Sequence, residues 1–405
     1  MLAFDPLRLA RRQLEIDRER TARYPHLLHH KAERMTVSPL ALLRGAAPLF
    51  YELLDRHPVL TEGPPGEGWL VGDCHLENFG AFRTGALSTT ETARAHKADT
   101  VVFDLNDFDD AFVGPWRLDV TRLTTSLILG GREIGLDGQR TLELCDCLLE
   151  SYVGAAFHRR KTPPAPHCVT ALVDRVRNRT REELLDARTR RTGDTRRFVR
   201  GTRYEGVPAK LREKAERAFA RYVAHLPPAE RPAEEAVGEI EDVAFRVAGT
   251  GSLGCMRLAL LVRGKGGPDG AWIFDMKEED TPSAAVLVKP PKIAAAERVA
   301  TAVKACVAHP PRMIGTTKLR GSSMLVRRLA PQEDKLDWRT LRAEDLEPLA
   351  RHLGSLLGAA HRRGAKRIPK EPWDAGDRGT LLAHAISLAG VHEAMYLAYC
   401  DLVRR

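Results

Sequence analysis

The sequence predicts an α+β fold in which a compact strand-rich unit interrupts a helical chain. Three observations predict it. Both ends of the chain, residues 1–60 and 333–405, space their apolar residues three and four apart, the helical period. Between them VAFRVAG, CMRLALLVRG and AWIFDMKEE read as consecutive strands joined by the Gly-rich turns GTGSLG and GKGGPDG. The Pro-rich stretch LPPAERPAEEAV marks the change of period. The expected organisation is therefore bilobal: residues 1–235 and 333–405 form a large helical unit, and 236–332 a small antiparallel-sheet unit inserted in it.

Taken in order, RTARYPHLLHHKAERM and SPLALLRGAAPLFYELLDR are helices, with Ser38-Pro39 as N-cap and first-turn pair. TEGPPGEG is a loop, and GWLVGDCHLENFGAF reads as strand, loop, strand. ALSTTETARAHKADT is a polar insertion, and VVFDLNDFDDAFVGPW a short strand running into an acidic turn. Val120 to His158 is helical, and residues 159–235 are basic and helical in patches such as REELLDARTRR. AAAERVATAVKACVAH is a helix beside the strand SSMLVRRLAP, and two more helices end the chain.

Composition narrows the function classes. At 43% hydrophobic over 405 residues, the chain has enough apolar material to exclude wholesale disorder. Its net charge of +9 suits anionic partners without choosing among them. The 7 cysteines are odd in number and scattered, without a CxxC pair, which argues against a disulfide framework or zinc site. The start has no apolar core of signal-peptide length, and no apolar run is read as long enough to span a bilayer. A cytoplasmic protein without a membrane partner is the expectation.

Four constellations carry chemistry. In Gly72-Asp73-Cys74-His75-Leu76-Glu77-Asn78 an Asp precedes an Asn by five residues on a loop after a strand, the layout of a kinase catalytic loop. There the Asp orients the attacking hydroxyl and the Asn holds magnesium. GDxHxxN resembles the loop of aminoglycoside phosphotransferases; alone, an ordinary turn explains such residues as well. His75 is expected to stabilise the loop.

The second is Asp104-Leu105-Asn106-Asp107-Phe108-Asp109-Asp110-Ala111. An Asp just after an apolar strand is where a kinase puts its second metal-binding carboxylate. The spacing does not match a calcium loop of the EF-hand type. DFDDA followed by GPWRLD is similar to a phosphotransferase segment. That similarity implies Asp107 as metal ligand and Asp119 as a buried brace for the catalytic loop, with Asp104 competing for the metal role.

The third is Gly249-Thr250-Gly251-Ser252-Leu253-Gly254. A dinucleotide fold needs a helix after such glycines, but CMRLALLV is strand-like. Strand, glycine loop, strand is instead the phosphate cover of kinases, or else a plain hairpin turn. The fourth is Lys277 at the end of the third strand, suited to nucleotide phosphates, with Glu297 of the next helix as its expected brace. Arg327 and Arg328 follow beside a hinge-like strand and read equally well as salt-bridged surface residues.

These motifs run catalytic loop, metal Asp, helices, glycine loop, Lys, helix Glu, strand, long helix. That is the order of ordinary kinases cut at a different point of the circle, a rearrangement physics tolerates when old termini are close. With Met35, Ser38-Pro39 and Arg44-Gly45 they resemble a bacterial family of uncharacterised proteins grouped with the protein-kinase-like superfamily. The resemblance implies a circularly permuted kinase-like fold. It also implies ATP and Mg2+ as nucleotide and metal, and phosphate transfer to an unknown small hydroxyl- or amine-bearing substrate. A catalytically silent nucleotide-binding scaffold and AMP transfer on the same fold remain open beside it. The basic belt between Arg175 and Arg203 has few aromatics and no known module, so nucleic acid is the weaker partner reading.

Overall fold

The computed structural model describes residues 4–84, 101–228, 230 and 239–404. The polar insertion 86–100 and the expected boundary at 235/236 lie outside the described residues.

Four helices open the chain: α1 (Pro6–Thr21), α2 (Leu27–Met35), α3 (Pro39–Gly45) and α4 (Ala47–Arg56). Ser38 caps α3 by accepting from the Ala41 N–H, with Pro39 in the first turn. Four short strands follow: β1 (Glu67–Leu70), β2 (Phe79–Arg83), β3 (Val101–Leu105) and β4 (Phe112–Pro115). β1 pairs antiparallel with β4 so that Leu70 faces Phe112, and β2 with β3 so that Phe79 faces Leu105. Segments 71–78 and 106–111 therefore bridge the same two points. Strand pairing forces both loops to lie side by side.

The stretch from Val120 to His158 is two helices, α5 (Arg117–Glu133) and α6 (Gly138–Ala156). They part at Gly135, whose φ of +80° a helix cannot accommodate. Then come α7 (His167–Arg177), α8 (Arg181–Asp186), β5 (Thr189–Thr192), β6 (Thr195–Phe198), β7 (Tyr204–Glu205) and α9 (Ala209–His225). Here two expectations are corrected. The helix in REELLDARTRR stops at Asp186, because Gly193 at φ +60° turns the chain between two pairing strands. Residues 181–225 also pack on the sheet unit rather than with the helical unit: β7 pairs with a sheet strand, and apolar side chains of α8, β6 and α9 cover both sheet faces.

That unit continues with β8 (Ile240–Arg246), β9 (Arg257–Gly264), β10 (Gly267–Glu279), α10 (Ala295–Cys306), β11 (Gly315–Leu319) and β12 (Ser322–Leu329). One antiparallel sheet runs β11-β12-β10-β9-β8-β7. Period-two burial splits it cleanly. Leu258, Leu260 and Phe274 face Phe219 and Tyr222, whereas Ala259, Leu261 and Ile273 face Leu185 and Phe198.

β13 (Asp334–Lys335) then pairs with β2, and β14 (Ala365–Arg367), after α11 (Ala343–Arg363), pairs with β1. The last helix, α12 (Ala375–Arg404), packs on α1, α3, α5 and α6. Contrary to the sequence reading, it is long and apolar enough to cross a membrane, alone among the described residues. Its Leu381, Ala385, Leu388 and Met395 are buried against neighbouring helices. All 7 cysteines are free thiols. The mixed α+β class is thus as expected, with several small antiparallel sheets.

Candidate functional site

A cleft of about 840 Å³ is lined from both parts of the fold. Asp73, His75 and Asn78 come from the 71–78 loop, Asp107 and Asp109 from the 106–111 loop. Opposite them stand Gly249, Gly251, Ser252, Gly254 and Lys277. Sequence motifs as far apart as Asp73 and Lys277 meet in one place.

The two acidic loops touch through backbone. Asn106 donates its N–H to the Asn78 carbonyl at 2.9 Å. Gly72 approaches so near that a Cβ would lie 1.9 Å from the Asp110 carbonyl oxygen, and its φ is +89°. That is why Asp73 must follow a glycine. Asp119 braces the loop as expected: its buried carboxylate accepts from the N–H groups of Val71 at 2.7 Å and Gly72 at 2.9 Å. His361 Nε2 stands 3.1 Å from the same carboxylate, stacked on Trp116 and hydrogen-bonded to Tyr152.

Asp73 sits at the cleft floor with its side chain 20% exposed. Arg122 Nε donates to its Oδ1 at 2.8 Å. Arg122 is itself fully buried, donates to the Leu43 carbonyl and lies over the Phe50 ring. Enclosure pushes the Asp73 carboxyl up to about 7 against the pull of Arg122, and Asp110 adds to the rise. His75 accepts the Glu77 N–H at Nδ1, so Nε2 carries the proton toward Asp73 Oδ2, 3.9 Å away. Burial keeps its pKa well below the usual value. A neutral, orienting His75 is the result.

Asn78 donates Nδ2 to the Asp73 carbonyl at 2.8 Å, which turns its Oδ1 the other way. That oxygen is buried and has no hydrogen-bond partner. Asp107 and Asp109 interact directly. Enclosure, and then the Asp109 charge, push the Asp107 carboxyl up. Enclosure also opposes ionisation of Asp109, yet Lys277 outweighs it and holds that carboxyl below its usual range. Asp104 is not part of this group. It is buried in β3 and does not line the cleft, with Arg363 at 3.9 Å.

An unpaired amide oxygen and two crowded carboxylates lining one cleft are the donor types of a hard divalent cation, and magnesium commonly keeps several waters while binding one or two carboxylates. No group of three or more His, Cys, Asp and Glu side chains suited to a metal occurs among the described residues. The donor set here is two carboxylates and an amide.

Lys277 is where the sequence places it, but its brace differs. Its Nζ pairs with Asp109 and lies 3.4 Å from Glu279 Oε1. Glu279 shares the Lys277 face of β10 because strand side chains repeat every two residues. Burial, then Asp109, raise the Glu279 carboxyl well above its usual value. Glu297 is exposed on α10 and does not line the cleft. The next residue, Arg298, is buried instead and donates to the carbonyls of Asp109 at 3.0 Å and Asp280 at 2.8 Å. A helix advances 100° per residue, so the neighbour of the expected brace is the one that points inward.

The glycine loop closes against the N-terminal helices. Gly254, at φ +104°, leaves only 2.1 Å between a hypothetical Cβ and the Arg20 carbonyl oxygen. Arg34 donates to the Gly249 carbonyl. Behind the loop Arg257 holds buried Asp275 through Nε at 2.9 Å and Nη2 at 2.6 Å, with Arg246 at 2.8 Å. Arg327 lines the cleft 3.6 Å from Glu333, whereas Arg328 lies over Trp272. Sequence reasoning missed Arg122, Asp109, Glu279 and Arg298. Arg122 was findable, one helical turn after Asp119 on the same face.

A mixed α+β chain with a two-sided cleft, carboxylates on one wall and a glycine loop with a buried lysine on the other, is the class of protein that fold and site define. Residues 23–402 match the sequence model of a family described as "Uncharacterized protein conserved in bacteria (DUF2252)", and the chain belongs to that family. No curated protein and no solved structure matches it.

Proposed function

We propose that this chain is an ATP-dependent phosphotransferase with a circularly permuted kinase-like fold, acting on a small hydroxyl- or amine-bearing substrate in the cytoplasm. One observation carries the reading. Asn78 Oδ1 is buried and unbonded, on a residue that lines the same cleft as Asp107, Asp109 and the glycine loop. A buried acceptor without a partner costs about 1–3 kcal/mol, which a bound cation would recover. In this reading the sheet unit is the small lobe and the helices from both chain ends form the large one.

Magnesium bound there would neutralise charge on the nucleotide phosphates. Asn78, Asp107 and Asp109 would hold it. Lys277, now paired with Asp109, would exchange that carboxylate for a phosphate oxygen. Backbone N–H groups of Gly249 to Gly254 would cover the phosphates. Asp73 has a pKa near neutrality, so it would take the proton of the acceptor hydroxyl as the γ-phosphoryl group leaves its ADP oxygen for the acceptor oxygen. Arg122 would keep one Asp73 oxygen in place and leave the other to the substrate.

The first test is heat denaturation with and without millimolar Mg–ATP. A ligand at a hundred times its Kd stabilises by about 2.7 kcal/mol. A melting temperature that did not move would sink the nucleotide reading. ATP labelled at the α or γ phosphorus would then separate AMP transfer from phosphate transfer.

A further inference from the structure

Beside the glycine loop lies a second cavity, of about 540 Å³. Arg34, Arg44, Arg188, Arg203 and Arg246 line it, and among the described residues no carboxylate does. Two of these arginines are neutralised from behind, Arg44 by Glu77 at 2.6 Å and Arg246 by Asp275 at 2.8 Å. Arg34 spends a donor on the Gly249 carbonyl. Arg188 and Arg203 have no ion-pair partner among the described residues.

The donors left over are informative. Arg188 Nη1, Arg44 Nε and Arg246 Nε are each shut away from solvent without a hydrogen-bond partner. Like charges facing one cavity repel. An oxyanion in the cavity offsets that repulsion. The planar guanidinium fork matches a phosphate group, and several forks converging match a doubly charged one.

The cavity is not isolated from the main cleft. Arg44, Arg188, Gly249 and Thr250 line both. A molecule anchored among the arginines therefore has its free end beside the loop that roofs Asp73 and Lys277. Arg188 and Arg203 also belong to the basic belt, whose other members are largely consumed within the fold. Arg196 pairs with Asp186 and Asp269, Arg200 with Asp242, and Arg179 with Asp334.

We propose that this pocket binds the phosphate group of the acceptor, so that the substrate class is a phosphorylated small molecule with a free hydroxyl or amine. The word acceptor rests on the phosphotransferase reading; the oxyanion pocket does not.

The test uses the full chain and pyrophosphate as probe, titrated without magnesium or nucleotide by calorimetry. Wild type is expected to bind it, with Arg188→Gln and Arg203→Gln each about tenfold weaker, the effect of losing one charge-assisted hydrogen bond. Lys277→Met is expected to bind the probe like wild type, because Lys277 lines only the main cleft. Arg203→Gln, which lines only the second cavity, is expected to keep wild-type affinity for a magnesium complex of a non-hydrolysable ATP analogue. Arg203 is exposed, so its variant is a check that folding is intact. No probe binding by wild type, or binding untouched by both arginine variants, overturns the pocket. Loss of the nucleotide complex along with the probe in Arg203→Gln assigns the cavity to the nucleotide and overturns the acceptor role. If wild type binds the probe through these arginines but never binds the nucleotide complex, the phosphotransferase reading falls and the oxyanion pocket stands.

Discussion

Asp73 combines a raised pKa with a fixed position, and both can be probed. Asp73→Asn is expected to lower phosphoryl transfer by about 10²–10⁴-fold, the usual range for a general base, while Mg–ATP still raises the melting temperature. The wild-type rate should climb with pH through about 7 and level off above it, as the carboxyl loses its proton. A flat profile between pH 5 and 9 would contradict this. The stability effect has the opposite sign. The folded value lies above the unfolded one, so the protonated form favours folding. That contribution is complete below the unfolded pKa and lost as pH rises through about 7. In urea denaturation, Asp73→Asn should therefore gain on wild type between pH 5 and pH 8. Asn78→Ala removes the unpaired oxygen and should weaken magnesium binding, read as a rise of about tenfold in the metal concentration for half-maximal activity. Asp73, Asn78 and Asp107 were legible because their spacing fixes them on short loops. Glu297 was misassigned because sequence distance does not say which side of a helix faces Lys277.

At the scale of elements, the site depends on close backbone approaches. Gly72→Ala would put a Cβ on the Asp110 carbonyl, and Gly254→Ala one on the Arg20 carbonyl. Each also demands positive φ from an alanine, a strain of order 1–3 kcal/mol. Gly72→Ala is expected to reduce both stability and turnover. Gly254→Ala should mainly weaken nucleotide binding, since only the loop must shift. Equal loss of binding in the two variants would argue against separate roles. The strands and glycine turns of the sheet unit were visible as alternation. The β5–β6 hairpin was not, because TRRTGDTRRF is polar on both faces and carries no burial pattern. It becomes a hairpin only because Phe198 and Arg196 have a place to go on the sheet, the latter between Asp186 and Asp269.

For the whole molecule, the chain ends are stitched together at a buried ion pair. Lys31 Nζ meets Asp17 Oδ1 at 2.8 Å with both side chains wholly buried, and Tyr399 of α12 donates to the same aspartate at 3.1 Å. Lys31→Ala leaves that carboxylate uncompensated and should cost about 3–5 kcal/mol in urea denaturation. A loss below 1 kcal/mol would mean the pair is dispensable. Much of the positive charge of the basic belt is paired within the fold, as with Arg179, Arg196 and Arg200. Random-sequence RNA or DNA is accordingly expected not to stay bound at physiological salt.

By itself the sequence determined the α+β class, the strand–loop–strand settings of Asp73 and Asp107, the glycine loop and the lysine strand. All of these are local, written in periodicity, turn residues and short spacings. Only the tertiary structure decided which carboxylates meet Lys277, that Arg122 holds Asp73, that residues 181–225 join the sheet, and where the excess arginines converge. Those outcomes depend on contacts between distant segments, and neither spacing nor composition encodes which face of each element turns toward the other.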